Sequence, residues 1–221
     1  MEFHIGGVMA TEKLDTDVRR EQLAQAALEL IAESGLRRLG LAAVARRVGL
    51  VPSAIYRHFR SKDEVVDAAL ALVGERLLAL GAAASAGGDD PLERLRRLLF
   101  LHAGFIGENR AIPRVVLSGE VFGGHPERRA RVYGFVQTYL AGVARLVREG
   151  QETGSINPDL DADVLSLCFL GLLQAPAILW QLSGGAFDPS RHLPQAWEVF
   201  ARGAAPARPR TRGGGSKPSV R

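Results

Sequence analysis

Residues 40–59, GLAAVARRVGLVPSAIYRHF, leave few folds open to this chain. Positions 41–48 carry apolar and small groups at helical spacing and stop at Gly49. A second helical run starts at Pro52, whose preset φ suits the first position of a helix. Two short helices joined by three or four residues that include a glycine make a helix-turn-helix unit. That unit needs a small residue where the second helix crosses the first, here Ala45. It also needs a turn residue that accepts positive φ, here Gly49. Val44, Val48, Leu50 and Ile55 stand at the offsets of the buried wedge. A helical hairpin with no nucleic-acid role can satisfy such spacing too, because short motifs carry false matches.

Charge bears on that choice. Between residues 34 and 62 there are seven Arg and Lys, at 37, 38, 46, 47, 57, 60 and 62, and no acid. Residues 63–203 hold 13 basic and 17 acidic groups, and residues 204–221 hold five basic and none acidic. A charge run by itself is usually a solvated face. The missing acids make this one read as a polyanion-binding end on a neutral-to-acidic body. With 221 residues, 47% of them hydrophobic and 24% charged, the chain has the composition of a globular protein with a real core. A single cysteine, Cys168, excludes an intrachain disulfide framework and a cysteine-based zinc site. A reducing cytoplasm is the simplest compartment.

Punctuation divides the rest. Residues 1–14 read as a flexible leader, with Met9 an alternative start. A first helix is expected from about Asp15 or Asp17 to Ser34, closed by Gly35. Ser61 and Glu64 form a capping box for a helix that runs to about Ala84. Further helices are expected at 91–107, 112–122, 126–151, 161–182 and 190–203, with breaks at glycine pairs and at 154–158. No period-two runs long enough for strands occur, so the fold class is all-α. From Ala204 the composition falls to Ala, Pro, Arg, Gly, Ser and Lys, and a disordered basic tail at 204–221 is expected. The domains are therefore 15–61, a helix-turn-helix unit, and 62–203, a larger helical body. Residues 164–182 run without a charge, close to the roughly 20 residues that cross a bilayer. Ser166, Gln174, Pro176 and Gln181 interrupt them, which favours a helix buried against protein, a second subunit included.

The stretch ESGLRRLGLAAVARRVGLVPSAIYRHFRSKDEVV resembles the DNA-binding segment of TetR/AcrR transcriptional regulators. Gly35, Val44-Ala45, Gly49, the run Ile55 to Phe59 and Ser61-Lys62-Asp63 carry the likeness, which covers about residues 17–70. The resemblance implies that residues 52–59 enter the major groove of double-stranded operator DNA. It places Ser53, Ala54 and Arg57 near base edges, and Tyr56, His58 and Lys62 on phosphates. Tyr and His suit phosphate oxygens as neutral or switchable donors, and Lys62 lies at a helix start that already favours an anion. Arg46 and Arg47, at the end of the preceding helix, can reach the same backbone, while Ile55 and Phe59 suit the core. Two positions depart from the family: Gly40 replaces a usual Thr, and Val51 a usual Ser. Both are helix starts, so two cap oxygens and two phosphate contacts are put in doubt. Ser53 is an alternative cap for a later start.

The resemblance also implies an unknown small-molecule effector bound in the helical body. Candidate lining residues are His102, Phe105, Glu120, Phe122, Tyr133, Gln137, Cys168, Gln174 and Trp180, each of which also suits ordinary packing. Pro176 is expected to kink its helix and open space. The helices 161–182 and 190–203 would form a homodimer interface. A ligand-responsive repressor on a pseudo-palindrome is the leading reading. An architectural DNA binder, or a small-molecule-binding protein with a vestigial helix-turn-helix, stands beside it. No Walker loop, Rossmann glycine pattern or His-Glu-x-x-His occurs. No catalytic residue, cofactor or metal is assigned, and Asp159, Asp161 and Asp163 lack the glycine and glutamate of a calcium loop.

Overall fold

The structure is a computed structural model in which residues 6–86, 90–109, 111–116 and 125–206 are described. Every regular element among the described residues is helical. Helix α1 spans Gly6–Ser34. It starts well before Asp15, which corrects the expected leader for residues 6–14; residues 1–5 lie outside the described residues. Ala10, Glu12, Lys13 and Leu14 form helices readily, and no proline interrupts them, so an established helix extends backward over them. The 3₁₀ turn Leu36–Arg38 and helix α2, Leu41–Arg47, follow. The next element, Pro52–Arg57, is a 3₁₀ helix and not the expected α-helix. Its bonds run at i+3, Ala54 N–H to Val51 O and His58 N–H to Ile55 O, each 2.9 Å. Pro52 supplies no N–H at its start and Val51 no cap, so i+3 bonds prevail there, and an i+4 bond, Phe59 N–H to Ile55 O at 2.9 Å, closes the end.

Helix α3, Lys62–Ser85, begins with the expected Ser61 cap, while Glu64 reaches back one residue beyond it. Ser61 Oγ accepts from Glu64 N–H at 3.2 Å, and the Glu64 carboxylate accepts from Arg60 N–H at 2.8 Å. Helix α4 is Pro91–Glu108, capped by the Asp90 side chain. Helix α5 is Ala111–Val116; the remainder of the helix expected at 112–122 lies outside the described residues. Helices α6, Pro126–Thr153, α7, Ala162–Leu182, and α8, Leu193–Ala204, complete the body. Asp161 accepts from the N–H groups of Asp163 and Val164, so that acid is a cap. The tail from 207 onward lies outside the described residues.

Two apolar cores meet along α3. Its first half, through Val65, Val66, Leu70 and Val73, packs into the core of α1, α2 and the 3₁₀ helix. Its far end, at Ala84, belongs to the core of α4, α6, α7 and α8. The division drawn at Ser61 therefore falls at the helix start, whereas N-terminal packing continues to Val73. A single helix, α3, thus contributes to both cores.

Candidate nucleic-acid interface and effector cavity

In the turn between α2 and the 3₁₀ helix, Gly49 adopts φ 74°. Leu50 N–H reaches back to Ala45 O at 2.9 Å, which lets the chain reverse within three residues. Of the wedge residues Val44 and Ile55 are fully buried, as are Ala45 and Phe59, whereas Val48 and Leu50 are half-buried. The opposite side of the 3₁₀ helix is open: Ser53, Tyr56 and Arg57 are exposed, and Ala54 and His58 are half-buried. Ile55 and Phe59 thus hold the element to its core while Ser53, Tyr56 and Arg57 face outward. Gly40 and Val51 make no side-chain cap bond, in line with the two departures read in the sequence.

Arg20 fastens this element, a role that local sequence reading missed. Its guanidinium donates to His58 O and lies 4.3 Å above the Phe59 ring. The partners stand 38 positions apart, so only the fold joins them. Lys62 Nζ donates to Arg37 O at 3.1 Å, which brings the exposed Arg37–Arg38 turn beside the start of α3. Arg46 is exposed at the end of α2. Arg47, also expected on phosphate, forks onto Glu33 at 2.7 and 2.9 Å and reaches Glu29 at 3.3 Å, two exposed carboxylates of α1. The Glu33 hydrogen bond raises the Arg47 guanidinium further, and the same bond lowers Glu33.

The helical body contains two adjoining chambers. The inner one, about 100 Å³, lies among α3, α4, α5, α6 and α7. The outer one, about 420 Å³, opens between α4, α7 and the turn before α8. Ile106 and Ala177 line both. Of the candidate residues, His102, Phe105 and Gln174 line the inner chamber and Trp180 the outer, where Pro176 also lies. Tyr133 and Gln137 do not. Tyr133 is 62% exposed and accepts a hydrogen bond from Gln137 one turn on, on the outer face of α6. The lining from α6 is instead Val132, Phe135, Val136 and Tyr139, a face the helical period rotates away from 133 and 137. Cys168 is exposed and outside both chambers. Glu120 and Phe122 lie outside the described residues.

His102 and Tyr139 form the polar point of the inner chamber. His102 Nδ1 lies 2.9 Å from the Tyr139 hydroxyl, and the rings meet edge to face at 5.1 Å. Burial takes the imidazole down to about 4 and pushes the phenol up, so both are neutral near pH 7. Among the described residues no group of His, Cys, Asp and Glu is placed to hold a metal.

The profile of bacterial regulatory proteins of the tetR family matches residues 23–69, from α1 into α3. A tetracyclin repressor-like C-terminal domain matches residues 88–204. The chain belongs to the tetR family of bacterial regulatory proteins. This TetR-family protein is a DNA-binding transcriptional regulator with a ligand-binding C-terminal domain. Its curated relatives include the nucleoid occlusion factor SlmA of Shewanella pealeana. That protein is 28% identical over 188 residues, covering 82% of this chain and 92% of the relative. A TetR/AcrR regulator from Thermobifida fusca is 28% identical with TM-score 0.66, covering 84% of this chain and 97% of that one. FadR of Bacillus subtilis, solved with stearoyl-CoA, shares the fold at 19% identity and TM-score 0.69, covering 82% and 97%.

In this TetR-family chain, α6 is tied to the start of α3 by a buried arginine. Arg128, 3% exposed, donates to Asp67 at 2.8 Å and to Asp63 at 3.1 Å. Burial alone would lower the guanidinium, but the bonds to Asp67 and Asp63 outweigh it and raise it. No local motif marks Arg128; its partners lie 61 and 65 positions earlier.

Proposed function

We propose that this regulator binds a pseudo-palindromic operator as a homodimer and, as a repressor, leaves it when an effector fills the chambers. The observation that carries the reading is the divided 3₁₀ helix, with Ile55 and Phe59 fully buried and Ser53, Tyr56 and Arg57 open beside Lys62. Ser53, Ala54 and Arg57 read base edges. Tyr56, His58, Lys62 and Arg46 hold phosphates, while Arg47 stays on α1. Two such elements enter successive major grooves about 34–36 Å apart.

The dimer uses α7 and α8. Leu167, Leu182 and Val199 are 59%, 79% and 74% exposed, and Val164, Ile178 and Leu179 extend the same apolar surface. Helix α7 is long and apolar enough to cross a membrane, with 28% of its apolar window buried. A second copy covers this surface in our reading, since an apolar face of this size needs a partner. The cytoplasm, where DNA is reached, is the compartment the reading requires.

Footprinting beside the gene tests the proposal: one protected palindrome is expected. Lys62→Ala should weaken all sequences and flatten the salt dependence by roughly one log–log unit. Arg57→Ala should cost roughly 1–3 kcal/mol at one base position. Uniform losses in both would remove the base-reading role from Arg57. A second reading draws on the nucleoid occlusion factors among the relatives. There the protein occupies many sites as a nucleoid component, and uniform coating across a long duplex would favour it.

A further inference from the structure

We infer that the effector is an uncharged, elongated apolar molecule carrying one carbonyl or hydroxyl group, seated with that group against His102 and Tyr139. This rests on the effector-responsive reading above and names the ligand class of the same chambers. The inner chamber is apolar except at one end, where His102 and Tyr139 meet, with Gln174 at the α7 side. The His–Tyr pair offers a ligand one donor and one acceptor in either proton arrangement. When Tyr139 O–H donates to Nδ1, Nε2–H is the donor and the phenol oxygen the acceptor. When Nδ1–H donates to the phenol oxygen, the phenol proton is the donor and Nε2 the acceptor. A ketone, an ester or an alcohol is matched by one of these arrangements.

Charge is not matched. No Lys or Arg lines either chamber among the described residues, and the one carboxylate, Asp188 at the outer chamber, pairs with Arg191 at 3.7 Å. An ionised carboxylate or ammonium seated inside would give up its hydration for neutral partners, a cost that hydrogen bonds from a neutral pair do not offset. Ile106 and Ala177 form the wall the two chambers share, so a chain anchored at His102 would pass between these two side chains to extend between α4 and α7 toward Trp180. The outer chamber, about 420 Å³, has the size of a small-molecule site, and the inner one, about 100 Å³, has room for the polar end alone.

Calorimetric titration of the full-length protein at pH 7.5 with decan-2-one, decan-1-ol, decanoate and decylamine tests the assignment. The ketone and alcohol are expected to bind once per chain, each about tenfold or more tighter than either ion. Tyr139→Phe, which keeps the ring, should weaken the ketone about fivefold to tenfold. Decanoate or decylamine binding as tightly as the ketone overturns the inference, and so does a folded Tyr139→Phe protein with unchanged ketone affinity. If Tyr139→Phe does not fold, the four-probe comparison on the unaltered protein decides alone. Operator affinity measured with each probe separates the two levels. A charged probe that binds and releases DNA defeats the ligand class and leaves regulation standing. A ketone that binds without altering operator affinity supports the class and defeats the regulatory reading.

Discussion

Removing Asp67 should destabilise the protein more than removing Arg128, although both break the same ion pair. Arg128 is 3% exposed, whereas Asp67 and Asp63 are 32% and 60% exposed. At about 4 Å, opposite charges attract by about 4 kcal/mol for an effective dielectric of 20, and burial of the guanidinium cancels much of that. In Arg128→Met the carboxylates regain water, and Asp67 keeps Arg131 at 3.7 Å, so the loss is about 1–2 kcal/mol. In Asp67→Ala the guanidinium stays buried, cannot shed its proton, and loses its shortest bond. The cost there is about 3 kcal/mol. For a chain of this size that is roughly a 6–12 °C fall in melting temperature, read at fixed protomer concentration because the proposed dimer would couple stability to concentration. The double variant should recover more than about 1 kcal/mol of the summed losses. Denaturant melts of all four proteins give these values. An Arg128→Met loss as large as that of Asp67→Ala, or strict additivity, would refute the reasoning that the buried cation sets the cost.

His102 makes stability pH-dependent. It protonates near 6.5 when unfolded but only near about 4 when buried, so between those values the unfolded chain binds more protons. Stability should therefore fall as pH drops from about 6.5 toward 4, by up to about 3 kcal/mol, and the difference between wild-type and His102→Gln urea midpoints isolates that slope from the carboxylates. Gly74→Ala would place a Cβ 2.4 Å from the Phe135 ring, which lines the inner chamber. A loss of about 1–3 kcal/mol with weakened ketone binding is expected from melts and calorimetry; unchanged values would mean α3 and α6 separate freely. Val51→Ser restores a cap oxygen to the 3₁₀ helix and should add about 0.5–1 kcal/mol of stability, together with tighter operator binding in a gel-shift titration. A loss on either measure would show that the proline start tolerates no cap.

The helix-turn-helix was legible in the sequence because its determinants are local. Ala45, Gly49, Ile55 and Phe59 stand within fifteen positions, and their roles follow from helical period and backbone sterics. The weak helix starts at Gly40 and Val51 were readable for the same reason. What local pattern did not show was that an uncapped six-residue segment settles as a 3₁₀ helix, since helix type depends on how many bonds the ends can close.

The cavity was half legible. His102, Phe105, Gln174 and Trp180 line it, but Tyr133, Gln137 and Cys168 face outward, because residue type does not say which side of α6 or α7 meets the core. Arg20 on His58 and Phe59, Arg47 on Glu33, and Arg128 on Asp63 and Asp67 join residues 14 to 65 positions apart, pairings no local pattern encodes. Composition and spacing by themselves determined an all-helical chain with a basic helix-turn-helix end. The tertiary structure alone decided which cations are held by carboxylates and which are exposed without them. It also decided that one neutral His–Tyr pair provides the polar end of the chamber. The reason is that local sterics depend on neighbours in the chain, whereas burial and ion pairing depend on neighbours in space.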